Sequence, residues 1–148
     1  MILPLLLLSI FVPSVTSIYA DRVLFKFSLE CKLKNEWNYK MDLFEVNIGW
    51  NAFAIGINGT FTTSKNSYKI EGLIDGNNSR KYQFLLKIVH TCVSPFPSPY
   101  KTINILFPKV AAYQKWYQFL FGFDISDEQG TLTDKDIPVK VINELWFK

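Results

Sequence analysis

From Val23 to Leu33 the odd positions hold Phe25, Phe27, Leu29, Cys31 and Leu33, while Lys26, Ser28, Glu30 and Lys32 take the even ones. Successive side chains of an extended strand point to opposite faces, so this period of two predicts a half-buried β-strand whose inward face carries Cys31. The pattern recurs. Phe44, Val46, Ile48 and Trp50 alternate with Glu45, Asn47 and Gly49, which predicts a second strand after a polar stretch from Lys34 to Lys40. Short strands over 52–57 and 60–63 flank Asn58-Gly59, a two-residue hairpin signal. Ser64 to Ser67 reads as a turn before Tyr68, Ile70 and Leu73, and Asp75 to Ser79 as a loop. Phe84 to Val89 is apolar apart from Lys87, as suits a central strand, and Lys101 to Phe107 is a further strand ended by Pro108. The prolines at 95, 97 and 99 make Val93 to Tyr100 an extended connection, because proline cannot donate to a sheet ladder.

Two segments break the period. Val110, Tyr113, Tyr117 and Leu120 recur at helical spacing and predict a short amphipathic helix, whereas Phe119, Phe121, Phe123 and Ile125 alternate as in a last strand. Residues 127–148 form a tail, polar and then apolar from Ile137, in which Asp136 and Pro138 are placed like the cap and first turn of a terminal helix. With thirteen Phe, seven Tyr and four Trp, the composition suits broad pleated surfaces. The expected fold is an all-β sandwich of about seven to eight strands with a short helix.

The N-terminus sets the compartment. Ile2 to Val12 is nearly unbroken Leu, Ile, Phe and Val; Pro13 and the small residues Ser14, Thr16, Ser17 and Ala20 follow, and Asp21 is the first charged side chain. This is the apolar region and cleavage zone of a secretory leader, with processing after Ser17 or Ala20. The run is shorter than the roughly 20 residues a membrane-spanning helix needs. An N-terminal strand is the competing reading. The organisation expected is a leader over 1–20, a sandwich domain over 21–126 and the tail over 127–148.

Export changes how the other motifs read. Cys31 and Cys92 are the two cysteines of the chain. In an oxidising compartment they form one disulfide, or else remain free or intermolecular thiols. Asn58-Gly59-Thr60 and Asn77-Asn78-Ser79 are N-glycosylation acceptors at Asn58 and Asn77. A net charge of +3 spread along the chain, with no basic stripe, leaves no footprint for nucleic acid. The acidic residues Asp124, Asp127, Glu128, Asp134 and Asp136 lack the spacing of a calcium loop, and His90 is expected as a structural residue beside Cys92. No metal or cofactor is expected. Trp116, Tyr117, Phe119, Leu120, Phe121 and Phe123 put large apolar groups on both faces of one segment. Of these, Trp116, Tyr117, Phe119, Phe121 and Phe123 are the candidate lining of a ligand pocket or of an interface.

The strand ending Leu29-Glu30-Cys31, the stretch Thr62 to Gly72, the run Leu86-Lys87-Ile88-Val89-His90-Thr91-Cys92 and the later Lys101 to Pro108 together resemble the nematode transthyretin-like family, over about Phe25 to Ile125. Thr91 stands where the family commonly has Asp, and Tyr100 stands about where one of two further family cysteines would be. The loss of those two together is what a pair would show, which the resemblance turns in favour of Cys31 bonding Cys92. It implies a secreted, transthyretin-like β-sandwich. Its role is either an extracellular carrier of a small apolar or lipid-like ligand, or an extracellular interaction or bridging module for a protein or cell surface. Catalysis is not implied: related hydroxyisourate hydrolases need several histidines and end Tyr-Arg-Gly-Ser, while this chain has one His and ends Leu145-Trp146-Phe147-Lys148.

Overall fold

The computed structural model describes residues 20–47, 50–75, 81–94, 99–111 and 115–145. The expected leader, through residue 19, and the expected acceptor Asn77 lie outside them. Among the described residues eleven strands follow in order: β1 Ala20–Glu30, β2 Trp37–Asn47, β3 Trp50–Phe61, β4 Lys65–Asp75, β5 Lys81–Tyr82, β6 Phe84–His90, β7 Lys101–Leu106, β8 Val110–Ala111, β9 Lys115–Asp124, β10 Gly130–Leu132 and β11 Lys140–Leu145. They form a four-stranded sheet in the order β11-β9-β1-β4, a five-stranded sheet in the order β10-β7-β6-β2-β3, and the small pair β5-β8. Two neighbours run parallel, β1 with β9 and β10 with β7; the other pairs are antiparallel.

Alternation decides which side chains meet between the sheets. Val23, Phe25, Phe27 and Leu29 of β1 are buried, and so are Phe84, Leu86, Ile88 and His90 of β6, as a period of two requires. From β9 come Tyr117, Phe119 and Phe121, and from β2 Trp37, Met41 and Leu43. The aromatic rings set the centre. Phe25 stacks on Phe119 with centroids 4.7 Å apart and planes 9° from parallel, and meets Phe84 edge-on at 5.5 Å. One step along, Phe27 stacks on Phe121 at 4.9 Å. Both stacked pairs are register partners across the parallel β1–β9 pairing, so packing and strand register reinforce each other. Such pairs contribute about 0.5–1.5 kcal/mol each beyond area burial.

Among the described residues there is no helix, and both helical expectations give way to strands. Val110 lies in β8 and Tyr117 and Leu120 in β9. The spacing of Val110, Tyr113, Tyr117 and Leu120 was coincidental, because β9 is flanked by β1 and β11 and must present one row inward and another outward. Apolar residues on both faces, rich in aromatics, suit such an interior strand. In the tail, Asp136 accepts from the amide and hydroxyl of Thr133, and the amides of Asp136 and Ile137 donate to the Thr133 carbonyl. This is one turn and not the start of a helix. Buried Ile137 anchors it, and β11 then pairs with β9 as β10 pairs with β7, so the tail supplies an outer strand to each sheet.

The Asn58-Gly59 hairpin also gives way. β3 runs unbroken through it, with Asn58 opposite Lys40 and Gly59 opposite Tyr39. Glycine is needed there for close approach and not for a turn: a Cβ on Gly59 would stand 2.7 Å from the Tyr39 hydroxyl. Gly59→Ala is expected to destabilise the fold by about 1–3 kcal/mol. Adding Tyr39→Phe, which removes the clashing oxygen, recovers part of that loss. Urea unfolding of the two single variants and the double one measures the coupling, and simple additivity would count against the close-approach account.

Candidate functional site

The densest polar structure lies at one end of the sandwich, where the loops after β1, β6 and β9 converge. Cys31 and Cys92 are joined by a disulfide with Cα atoms 5.9 Å apart, and both are fully buried. The bridge closes a span of 61 residues. Loop-closure entropy makes a link of that length worth roughly 4 kcal/mol. Around it, backbone bonds tie these loops to one another and to the β3–β4 connection: the Ile125 amide donates to the Glu30 carbonyl, the Asp127 amide to the Cys92 carbonyl, and the Cys31 amide to the Ser64 carbonyl.

Charged groups complete the joint. Asp127 takes a left-handed backbone, φ 57°, which an acidic residue tolerates better than most. Its carboxylate accepts from the Ser94 hydroxyl, from the Ser94 amide at 2.8 Å and from the Lys101 ammonium at 3.1 Å. The Ser94 bonds first, and then Lys101, hold its pKa down to about 2. Lys101 also donates to the Asp127 carbonyl at 2.8 Å. Nearby, Lys32 pairs with Asp124 at 2.9 Å, and that bond with the attraction of Asp124 raises the lysine pKa. Burial works against the charge of Asp124, but bonds from Ser126 and Lys32 outweigh it and hold its pKa below the ordinary value. Each carboxylate of this group has an N–H, O–H or ammonium partner, and no set of His, Cys, Asp and Glu among the described residues could hold a metal ion.

His90 is buried beside this network with Nε2 3.0 Å from the Glu128 carbonyl. Burial first, helped by the nearby Lys101, lowers its pKa, and the Glu128 carbonyl partly opposes the shift. The imidazole locks the loop after β9 onto β6. Cys92 has no thiol to work with it, since its sulfur is bonded to Cys31.

The aromatic candidates separate. Tyr117, Phe119 and Phe121 are core, and Phe123 is half-buried against it. The Tyr117 hydroxyl donates to the Ala111 carbonyl, which ties β9 to β8. Trp116 faces the other side of the four-stranded sheet, half-buried beneath the Arg22 guanidinium, 5.3 Å from its ring centroid. Three of the five therefore fill the space between the sheets and line no opening with Trp116. A shallow, open groove of about 480 Å³ is lined by Phe27, Tyr68, Leu120 and Phe121 together with Lys26, Ser28, Ser67 and Lys69, so Phe121, although mostly buried, is the candidate aromatic that borders an opening. Asn58 lies within β3, opposite Lys40.

Two residues were missed by the sequence reading. Leu33 continues the apolar alternation of β1, yet the strand ends at Glu30, and Leu33 is 45% exposed on the loop that follows. Tyr100, at the end of the proline-rich connection, is 56% exposed. They are the exposed large hydrophobic side chains among the described residues. No local signal marks them, because pattern alone does not show where β1 leaves its sheet. Leu33, Lys34 and Asn35 border a second open hollow of about 400 Å³ with Ser64.

No protein-family model matches this chain, and no curated protein matches it. A solved structure of a Bacteroides ovatus protein ascribed a cell adhesion role overlaps it with a TM-score of 0.38 and 11% identity, over 88% of this chain and 46% of that one. The chain thus spans about half the length of that neighbour, and likeness at this level carries no weight for function. No helix among the described residues is long and apolar enough to cross a membrane.

The electrostatics of the joint set a pH dependence. Folding lowers the pKa of Asp127 to about 2, so its stabilisation is present above the unfolded carboxylate value of about 4 and is lost as the pH falls toward 2. His90 is also lowered, so the unfolded chain takes up the proton first, and stability falls as the pH drops below about 6.5. Thermal unfolding across pH should show both losses. Asp127→Asn should flatten the more acidic one and His90→Gln the one below neutrality; unchanged profiles would remove these groups from the account.

Proposed function

We propose that this chain is a secreted, extracellular interaction module, a divergent member of the nematode transthyretin-like family, which engages a protein or cell-surface partner through its disulfide-stapled loop end and catalyses no reaction. The observation that carries this reading is the exposure of Leu33 and Tyr100 on loops held by one buried joint. Tyrosine is favoured in interface cores because it offers a large, rigid and amphipathic surface. Backbone fixed in advance loses little further entropy on binding, and Cys31, two residues before Leu33, and Lys101, next to Tyr100, are both tied into the joint. The exposed lysines Lys32 and Lys34 flank Leu33 on the same loop, as a polar rim to an apolar contact.

Secretion is supported by the apolar run of Ile2 to Val12 and by the disulfide, a bond that persists in oxidising compartments. Family membership rests on the runs Leu86 to Cys92 and Lys101 to Pro108, carried here by two adjacent antiparallel strands at the middle of the larger sheet. The absence of catalysis accords with a bonded Cys92 sulfur and a buried His90 committed to a carbonyl. Between the two roles that the resemblance implies, the interaction reading is supported by the separation of the candidate aromatics: Tyr117 and Phe119 are core while Trp116 faces the other side of the sheet, so the five do not wall one apolar pocket.

The double variant Leu33→Asp with Tyr100→Asp is expected to lose binding to intact cells while its melting temperature stays within a few degrees of the parent's. Native mass spectrometry of the secreted chain is expected to show the bare or glycosylated mass. A co-purified apolar molecule, together with cell binding that survives both substitutions, would overturn the proposal in favour of a carrier.

A further inference from the structure

The two sheets expose four outer strands: β11 and β4 in one, β10 and β3 in the other. An outer strand offers a row of unpaired backbone donors and acceptors, and proteins protect such edges with charge, proline or brevity. Three of the four are protected. β4 carries Lys65, Lys69, Glu71 and Asp75, β11 carries Lys140 and Glu144, and β10 is three residues long. β3 is different. Over twelve residues, Trp50 to Phe61, it holds no Lys, Arg, Asp, Glu or Pro, and among the described strands it pairs on one side only, with β2.

The register narrows the available segment. Leu43 is opposite Ile55 while Phe44 is opposite Phe53, so Ala54 is the extra residue of a β-bulge. A bulge bends its strand and interrupts regular pairing, which leaves Ile55 to Phe61 as the longest regular stretch. Its centre is Asn58. An antiparallel pairing of this stretch with itself about a two-fold axis puts Gly56 opposite Thr60 of the second molecule, and both residues are exposed. A neutral strand meets its own copy without like-charge repulsion in any register. Closed two-fold dimers are the commonest homo-oligomers, and their interface pairs one surface with itself.

We infer that β3 is a dimerisation edge, on which the stretch Ile55–Phe61 pairs antiparallel with the same stretch of a second copy and joins two five-stranded sheets into one of ten. The inference does not depend on the loop-end function, since β3 is separate from the loops that carry Leu33 and Tyr100. It also gives the acceptor triplet at Asn58 a consequence: a glycan at the centre of the paired stretch blocks the dimer, so glycosylation there sets the oligomeric state.

Sedimentation velocity on the secreted chain and on its Asn58→Gln variant tests this at micromolar concentration. The Asn58→Gln chain is expected to be a dimer. Adding Gly56→Lys and Thr60→Lys places like charges opposite each other twice and should raise the dissociation constant about tenfold or more. Replacing that pair with Gly56→Lys and Thr60→Glu places opposite charges there and should restore the dimer, which separates edge pairing from any general damage by substitution. A monomeric Asn58→Gln chain would overturn the inference, whether or not its β3 amides are protected from hydrogen exchange. So would a dimer indifferent to both charge patterns.

Discussion

The parallel pairing of β1 with β9 sets Phe25 on Phe119 and Phe27 on Phe121, and much of the structure follows from those two stacks. They fix register, because a slip by one residue would turn the aromatic rows outward. Phe84 and Phe107 then approach the same rings from the other sheet, within 5.0–5.7 Å of Phe25 or Phe119. A sandwich interior is filled by rows from its two inner faces, and here aromatic contacts between those rows decide how the sheets meet. β1 is flanked on both sides, by β9 and β4, which accounts for the burial of its whole inward row.

Where the sheets end, covalent and ionic bonds take over from packing. The loops after β1, β6 and β9 are joined by the Cys31–Cys92 bridge, by the Asp127 carboxylate bound to Ser94 and Lys101, and by His90 held to Glu128. These bonds engage the Cys92 sulfur, the Asp127 carboxylate and Nε2 of His90. Of the aromatic segment, Tyr117, Phe119 and Phe121 go into the core between the sheets, while Trp116 faces the other side beneath Arg22.

The parts of this architecture legible in the chain were those governed by local periodicity. The alternation in β1, the apolar run of β6 between two neighbours, and the strand that becomes β7 all follow from residues a few positions apart. The helix expected near Val110 to Leu120 failed because spacings of three and four can be drawn from any segment rich in apolar residues. Only the presence of β1 on one side and β11 on the other explains why both faces of β9 are apolar. Asn58-Gly59 failed for a related reason, since a glycine required by the Tyr39 ring looks the same in sequence as one required by a turn. Leu33 belonged to the alternation by pattern and left it because the strand stops.

By itself, the sequence determined that this is a chain of pleated strands with an apolar N-terminal run and two cysteines, since alternation, hydropathy and residue type are local properties. The tertiary structure decided which aromatics are core, that the tail supplies an outer strand to each sheet, that the Asp127 joint exists, and which edge is left without charge. Those depend on partners brought together from distant positions: Cys31 with Cys92, Lys101 with Asp127, and Tyr39 with Gly59. Periodicity shows which way a side chain points along its own strand. What it meets there depends on how the sheets close.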